Sequence, residues 1–358
     1  MRHRVRTITD GAIELSNEQV QSSAASVAGA VVDGRAFFQT DDERGLGPAL
    51  RWARSQGAER LTLIAEADVA SDLARRAGLL DVAVDVWSAT GAEVEPATES
   101  PILRPPELPT DELRFASVIS EAGARALDDH GMLIAEIAGL EVARVVTEEP
   151  VAGEIISGEA VPGESDADDG PAGGEPADRP VSGYLPVDDG PHLSVGVGQA
   201  DRELQQYIHG HLDDDTNLRR AIAAVVRERR PGVGSHPLAR VARQRWLRAI
   251  ALDDPALLGL SALEAVTPLR PRHTVLGDEP AVAIGHDDQG NTSVVAFSVG
   301  VDLDLLPEAA DYRHRDAPDA RLVIVLPERD RKLATTGAAD WLPGVVITSI
   351  DVPWESLA

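Results

Sequence analysis

The sequence predicts an α/β protein of repeated strand–helix–strand units, with an α-β-β-β-α-β core in at least the C-terminal unit. Three observations lead there. Apolar runs such as Leu61-Thr62-Leu63-Ile64-Ala65 and Leu322-Val323-Ile324-Val325-Leu326 have the length and β-branched content of strands buried on both faces. Segments of helical period alternate with them. The same order of elements also recurs near the two ends of the chain.

That recurrence is specific. Near the N-terminus, Ala36-Phe37-Phe38 is followed by Gly47-Pro48-Ala49 and then by a run over 59–68. Near the C-terminus, Val295-Ala296-Phe297 is followed by Leu306-Pro307-Glu308-Ala309 and a run over 320–330. Both describe a strand, a loop, a helix opened by proline, and a strand with an acidic end. Proline suits a helix's first turn because the N–H it lacks would have no intrahelical partner there. Ser194-Val195-Gly196-Val197 matches Ser298-Val299-Gly300-Val301, and each precedes a helical stretch carrying a tyrosine, Tyr207 or Tyr312. A third related unit is therefore expected in the middle of the chain.

The units divide as 1–100, 101–235 and 236–358. A proline-rich linker over 95–109 separates the first two, with Pro101, Pro105, Pro106 and Pro109. The middle unit is expected to hold a helix over 111–127 and strands over 132–137, 140–146 and 192–197. Between the last two strands, residues 148–190 carry twelve acids and one arginine, with many Gly and Pro and few large apolar residues. Such a stretch buries too little apolar surface to offset its ordering entropy, and it is expected to be a disordered insertion. In the C-terminal unit a helix is expected over 236–252, its apolar face made by Leu238, Val241, Trp246, Leu247 and Ile250. Strands follow over 263–266, 281–284 and 293–299, then a helix over 303–313 and a strand over 321–326. A turn-rich hairpin loop spans 285–291.

Composition excludes several chemistries. There is no cysteine, which rules out disulfides, thiolate catalysis and cysteine-ligated zinc. Lys332 is the only lysine, and no G-x-x-x-x-G-K-[ST] phosphate loop exists. Aromatic residues make up only 3%, so the cores must be aliphatic. The net charge of −27 disfavours general attraction to nucleic acid. No signal-peptide pattern follows Met1 and no run approaches the ~20 apolar residues of a membrane span, so a cytoplasmic, non-membrane protein is expected.

The C-terminal order α-β-β-β-α-β, over roughly 236–330 and more weakly 111–235, resembles the core of the restriction-endonuclease-like PD-(D/E)XK family. The resemblance implies an acidic residue on the second strand and E-x-K on the third, holding a divalent metal and an attacking water. This sequence departs from that pattern. The third strand, Ser293-Val294-Val295-Ala296-Phe297-Ser298-Val299, has neither carboxylate nor lysine, nor does His192-Leu193-Ser194-Val195-Gly196. In the first unit Arg35-Ala36-Phe37-Phe38-Gln39 offers only a glutamine, and Asp287 and Asp288 sit in a turn where Asp is common anyway. The resemblance thus implies a degenerate fold without its catalytic motif, and a fold alone does not carry function.

Three constellations remain. Tyr207-Ile208-His209-Gly210-His211-Leu212-Asp213-Asp214-Asp215 gathers metal-ligand types, but Asp213 to Asn217 also has the form of a helix N-cap. His130, Glu136 and Glu141 could line one cleft, where paired carboxylates serve acid–base work, though no nucleophile accompanies them. The sharpest anomaly is a basic island: Arg219, Arg220, Arg227, Arg229, Arg230, Arg240, Arg243, Arg245 and Arg248, interrupted by one acid, Glu228. Arginine forks suit phosphate oxygens, which marks these nine as candidate nucleic-acid or anion ligands. The competing reading is two helices whose exposed faces are basic.

No catalytic residue, metal or cofactor is assigned. The expected role is a non-catalytic binding or scaffolding protein, possessing a vestigial nuclease fold, whose partner is a protein or an anionic ligand at the basic island. The alternatives are a metal-dependent nuclease with migrated ligands and a structural subunit of a larger assembly.

Overall fold

The computed structural model describes residues 1–22, 27–147, 190–209, 213–230, 236–272, 274, 276–277, 279–331 and 337–355. The expected insertion over 148–190 lies outside the described residues except for Gly190, as do Lys332 and His211. The chain is a mixed α/β protein with three sheets.

The N-terminal unit comprises α1 (Arg2–Ile8), β1 (Gln21–Ser22), β2 (Ala28–Val32), β3 (Arg35–Thr40), α2 (Leu46–Ser55), β4 (Arg60–Glu66), α3 (Ala67–Gly78), β5 (Val84–Thr90) and β6 (Glu93–Pro96). Its six strands lie in sequence order. β2 and β3 form an antiparallel hairpin, while β3, β4 and β5 run parallel and are joined by α2 and α3. Leu61, Leu63 and Ala65 face α2 and α3, and Ile64 faces the opposite layer. This is the alternation of a strand buried on both sides.

The middle unit runs through α4 (Arg114–Glu121), β7 (Arg125–Asp128), β8 (Leu133–Ile137), β9 (Leu140–Val146), β10 (His192–Val195), α5 (Gln199–His209) and α6 (Asp214–Glu228). All pairings in its four-stranded sheet are antiparallel. It therefore lacks the parallel crossover of the expected repeat, and the internal similarity reduces to two units. The helix expected over 111–127 stops at Glu121. Gly123, at φ +94°, turns the chain, and the following residues pair with β8 as β7.

The C-terminal unit holds α7 (Arg243–Asp253), β11 (Ala262–Ala265), β12 (Ala281–His286), β13 (Thr292–Phe297), α8 (Leu305–Asp316), β14 (Arg321–Leu326) and β15 (Val346–Ser349). The order α-β-β-β-α-β is present, with β15 added beyond it. β11, β12 and β13 form an antiparallel meander, and β13, β14 and β15 are parallel. This is the wiring of β1 to β5. The helix expected over 236–252 is broken: a short 3-10 turn, Pro237–Ala239, precedes Ala242 at φ +49°, and α7 starts only at Arg243. At this break the Arg229 guanidinium donates to the carbonyls of Leu238 and Val241.

The first and third units share one core. Phe38, Leu46, Leu50, Leu63 and Leu73 pack in the same cluster as Val294, Leu305, Leu306, Leu322 and Ile324. The helices α2, α3 and α8 form a layer between the two sheets, with α7 on the far face of the C-terminal sheet and α1 on the far face of the N-terminal one. Gly47 permits the closest approach. A Cβ there would lie 2.0 Å from the Leu303 carbonyl oxygen, and its N–H donates to Asp304 Oδ1 at 2.9 Å.

Candidate functional site

The middle and C-terminal units meet where the β8–β9 turn rests on the start of α7. Gly139, at φ +78°, makes this possible: a Cβ would come within 2.2 Å of the Trp246 backbone nitrogen. Trp246, Leu247 and Ala251 hold α7 on the sheet. This leaves Gln244 and Arg245, with Arg248 one helical turn on, lining the cavity beside the junction.

The described residues between β11 and β12 close the other side. Gln244 Nε2 donates to the carbonyls of Gly277 (2.6 Å) and Glu279 (3.2 Å). Leu269 N–H donates to the Tyr312 hydroxyl at 3.2 Å, and Arg315 Nη1 donates to the Pro268 carbonyl at 3.0 Å. Burial of Tyr312 pushes its phenol up to about 12, so it stays protonated. The loop is thus tied to both α7 and α8, and it carries Arg270 and Arg272 inward.

These elements enclose a cavity of about 40 Å³ lined by Arg245, Arg248, Arg270, Arg272, Glu308 and Tyr312 among others. A water position needs roughly 10–15 Å³ on this measure, so the space takes about three waters or one compact group. Three of these arginines have a defined anchor. Arg248 Nη2 donates to both oxygens of Glu136, at 3.0 and 2.9 Å, across the unit boundary. Arg272 Nε donates to Asp129 Oδ2 at 3.1 Å, also in the middle unit. Arg270 Nη2 donates to Glu308 Oε1 at 2.6 Å, and its Nη1 lies 2.7 Å from Glu43 of the N-terminal unit. The junction therefore ties all three units by charge.

The electrostatics are those of cations withdrawn from water. Burial, then Arg272 and Arg248, pull Arg245 down to about 10 against the opposing influence of Glu136 and Glu141. Burial pushes the Glu136 carboxyl up, but Arg248, Arg272 and Arg245 together outweigh it and hold the group below its ordinary value. Glu308 ends above its ordinary range, because burial outweighs Arg44, Arg76 and Arg270. Three polar atoms on cavity residues have no hydrogen-bond partner among the described residues: Arg248 Nε and Arg270 Nη1, both donors, and Glu308 Oε2, an acceptor.

The nine arginines of the basic island do not share one surface. Arg219, Arg220, Arg227, Arg230 and Arg240 are exposed, and Arg243 is half-buried against the Trp354 ring. Arg219 pairs with Asp215 and Arg227 with Glu228. Arg229, Arg245 and Arg248 are only 4%, 5% and 3% exposed. Arg229 donates to the carbonyls of Leu238 (2.7 Å), Ala138 (2.5 Å) and Val241 and stacks over Trp246, stapling the units together. Burial and then Arg245 lower it to about 9. Arg245 and Arg248 alone reach the cavity. Their cavity partners Arg270, Arg272 and Glu308 escaped sequence reading. The sole hint was two arginines in Pro268-Leu269-Arg270-Pro271-Arg272.

Glu136 and Glu141 are cross-strand partners on β8 and β9. Both are occupied: Glu136 by Arg248, and Glu141 by Arg144 (2.6 and 2.9 Å) and Arg202 (3.0 Å). His130 lies in the turn before β8, at φ +59°. Asp213 caps α6, accepting from the Thr216 N–H and hydroxyl, both at 2.9 Å. No group of three or more His, Asp or Glu among the described residues is placed to hold a metal ion. A second hollow, of about 220 Å³, lies beyond Arg270, but its charges are mutually satisfied, since Asp311 takes the forks of both Arg75 and Arg76.

No family model, curated protein or solved structure matches this chain. Among the described residues no helix is long and apolar enough to cross a membrane.

Proposed function

We propose that this chain is a non-catalytic binding protein that holds a small anion in a cavity of its C-terminal unit, beside the junction with the middle unit. The observation that carries this reading is that cavity, lined by four arginines against two carboxylates, Glu279 and Glu308. Guanidinium forks matched to oxygen acceptors in a water-poor site are the chemistry of oxyanion recognition. The non-catalytic part of this reading is supported by the third strand of the C-terminal unit. Val294 and Ala296 face α8 while Val295 and Phe297 face α7, so both faces of β13 are filled by apolar packing where E-x-K would stand in the family it resembles.

Calorimetric titration and thermal melting with phosphate, sulfate, a nucleotide and a short oligonucleotide test the proposal. Saturable binding of at least one small anion is expected, weakened by Arg272→Gln and by rising salt. At a hundredfold excess over Kd the ligand should stabilise the fold by about 2.7 kcal/mol. No binding of any anion, or binding indifferent to Arg272→Gln, would overturn it.

A further inference from the structure

Three buried polar atoms on cavity residues make no hydrogen bond, Arg248 Nε, Arg270 Nη1 and Glu308 Oε2, and they bear on which anion the cavity takes. The two guanidinium nitrogens are donors and Glu308 Oε2 an acceptor, and all three residues line the same small space. Glu308 is 1% exposed. Its other oxygen is engaged by Arg270 at 2.6 Å, and Oε2 stands 3.3 Å from Arg44 Nη2 without hydrogen-bond geometry. An occupant that satisfies these atoms must accept from guanidinium and donate to a carboxylate. A water does this but adds no negative charge to a cavity whose lining holds four guanidiniums and two carboxylates. A fully ionised oxyanion such as sulfate answers the arginines but has no proton for Glu308, and would set negative charge against a buried carboxylate.

From this, and resting on the anion-binding reading above, we infer that the site selects a hydrogen-bearing oxyanion of the phosphate class, free phosphate or the monoprotonated end of a phosphate monoester, over sulfate. The cavity's size limits the recognised part to one such group. Pro271, Thr274 and Glu279 are exposed, so one wall of the cavity reaches the surface and leaves room for a monoester's remainder. The enclosed geometry excludes a continuous nucleic-acid strand, whose bridging phosphates are flanked on both sides and carry no proton.

The charged neighbours of Glu308 fix how this depends on pH. It is faced by Arg44 and Arg76 of the N-terminal unit, by Arg270 of the loop, by Asp302 and Asp304 ahead of α8, and by Tyr312 one turn on. While Glu308 is ionised it accepts a hydrogen bond from the ligand's hydroxyl. Once it is protonated it becomes a donor, and sulfate becomes acceptable.

The test is calorimetry on the full chain at constant ionic strength, with inorganic phosphate, sulfate and a small phosphate monoester. At neutral pH phosphate should bind roughly tenfold or more tightly than sulfate, the margin of one charge-assisted hydrogen bond. Sulfate should gain as pH falls. Monoester binding should strengthen as pH drops through about 6, where the monoester takes up its proton, whereas inorganic phosphate keeps a proton throughout and changes less. This difference separates the two sources. Glu308→Gln should narrow the phosphate-to-sulfate ratio; if that variant does not fold, the wild-type ratio and its pH dependence decide. Equal binding of phosphate and sulfate at neutral pH overturns the selectivity while leaving the anion site standing. If no anion binds, both readings fall.

Discussion

Arg248 and Glu136 lie 112 residues apart in sequence and meet as a bidentate ion pair, 2.9 and 3.0 Å long, with both side chains buried between two units. Removing one partner leaves an uncompensated charge in the interior, which costs about 3–5 kcal/mol. Glu136→Ala and Arg248→Ala should each show that loss in denaturant unfolding. The double variant should be less destabilised than their sum, because the second removal relieves the orphan left by the first.

Arg229 and Arg230 are neighbours with opposite fates. Arg229→Gln strands three half-buried carbonyls, those of Ala138, Leu238 and Val241, and should destabilise by about 1–3 kcal/mol. Arg230, exposed at the end of α6, should tolerate glutamine within about 0.5 kcal/mol. Equal effects, measured by chemical denaturation, would contradict the placement of Arg229.

Gly47 carries the contact between the N- and C-terminal units. Gly47→Ala places a methyl against the Leu303 carbonyl, where backbone must move. The expected loss is about 1–3 kcal/mol, appearing as a lower thermal midpoint. Gly57 has open space around its Cα, but its φ of +70° makes it a different, conformational test.

The pH dependence of stability has a definite sign at Asp304. Burial, with Glu308 and Asp302 nearby, raises its carboxyl well above 3.8, outweighing its bond from Gly47 and the pull of Arg44. The folded state therefore binds the proton more tightly than the unfolded one, so this group's contribution to stability falls as pH rises from about 4 through the raised value. Asp304→Asn keeps an acceptor for the Gly47 N–H and removes the titration. The variant should be as stable as the wild type below about pH 4 and relatively more stable at neutral pH. Paired melts across that range check it.

Much of the scaffold was legible locally. The strands Leu140–Val146 and Arg321–Leu326 begin and end where their apolar runs do, because a strand's pattern needs only its own residues. The α6 cap at Asp213 was legible for the same reason: the residues that satisfy the first turn lie within it. Where local pattern misled, a distant partner intervened. Residues 236–242 have helical periodicity, yet two of their carbonyls accept from Arg229 of the preceding unit and the chain turns left-handed at Ala242. Residues 125–128 continue a helical pattern, yet β8 offers them a ladder.

The sequence by itself determined the α/β class, the aliphatic cores, the like order of the first and last units, and the absence of thiol chemistry. The tertiary structure alone decided that these two units share one core, that the middle sheet is wholly antiparallel, and which arginines of a continuous basic run face water. The reason is the range of the forces. Periodicity and capping act within a turn or a strand, whereas an arginine enters the interior only where a carboxylate or carbonyl from elsewhere offsets its lost hydration. For Arg248 that partner is Glu136, and nothing in the residues around either one announces the other.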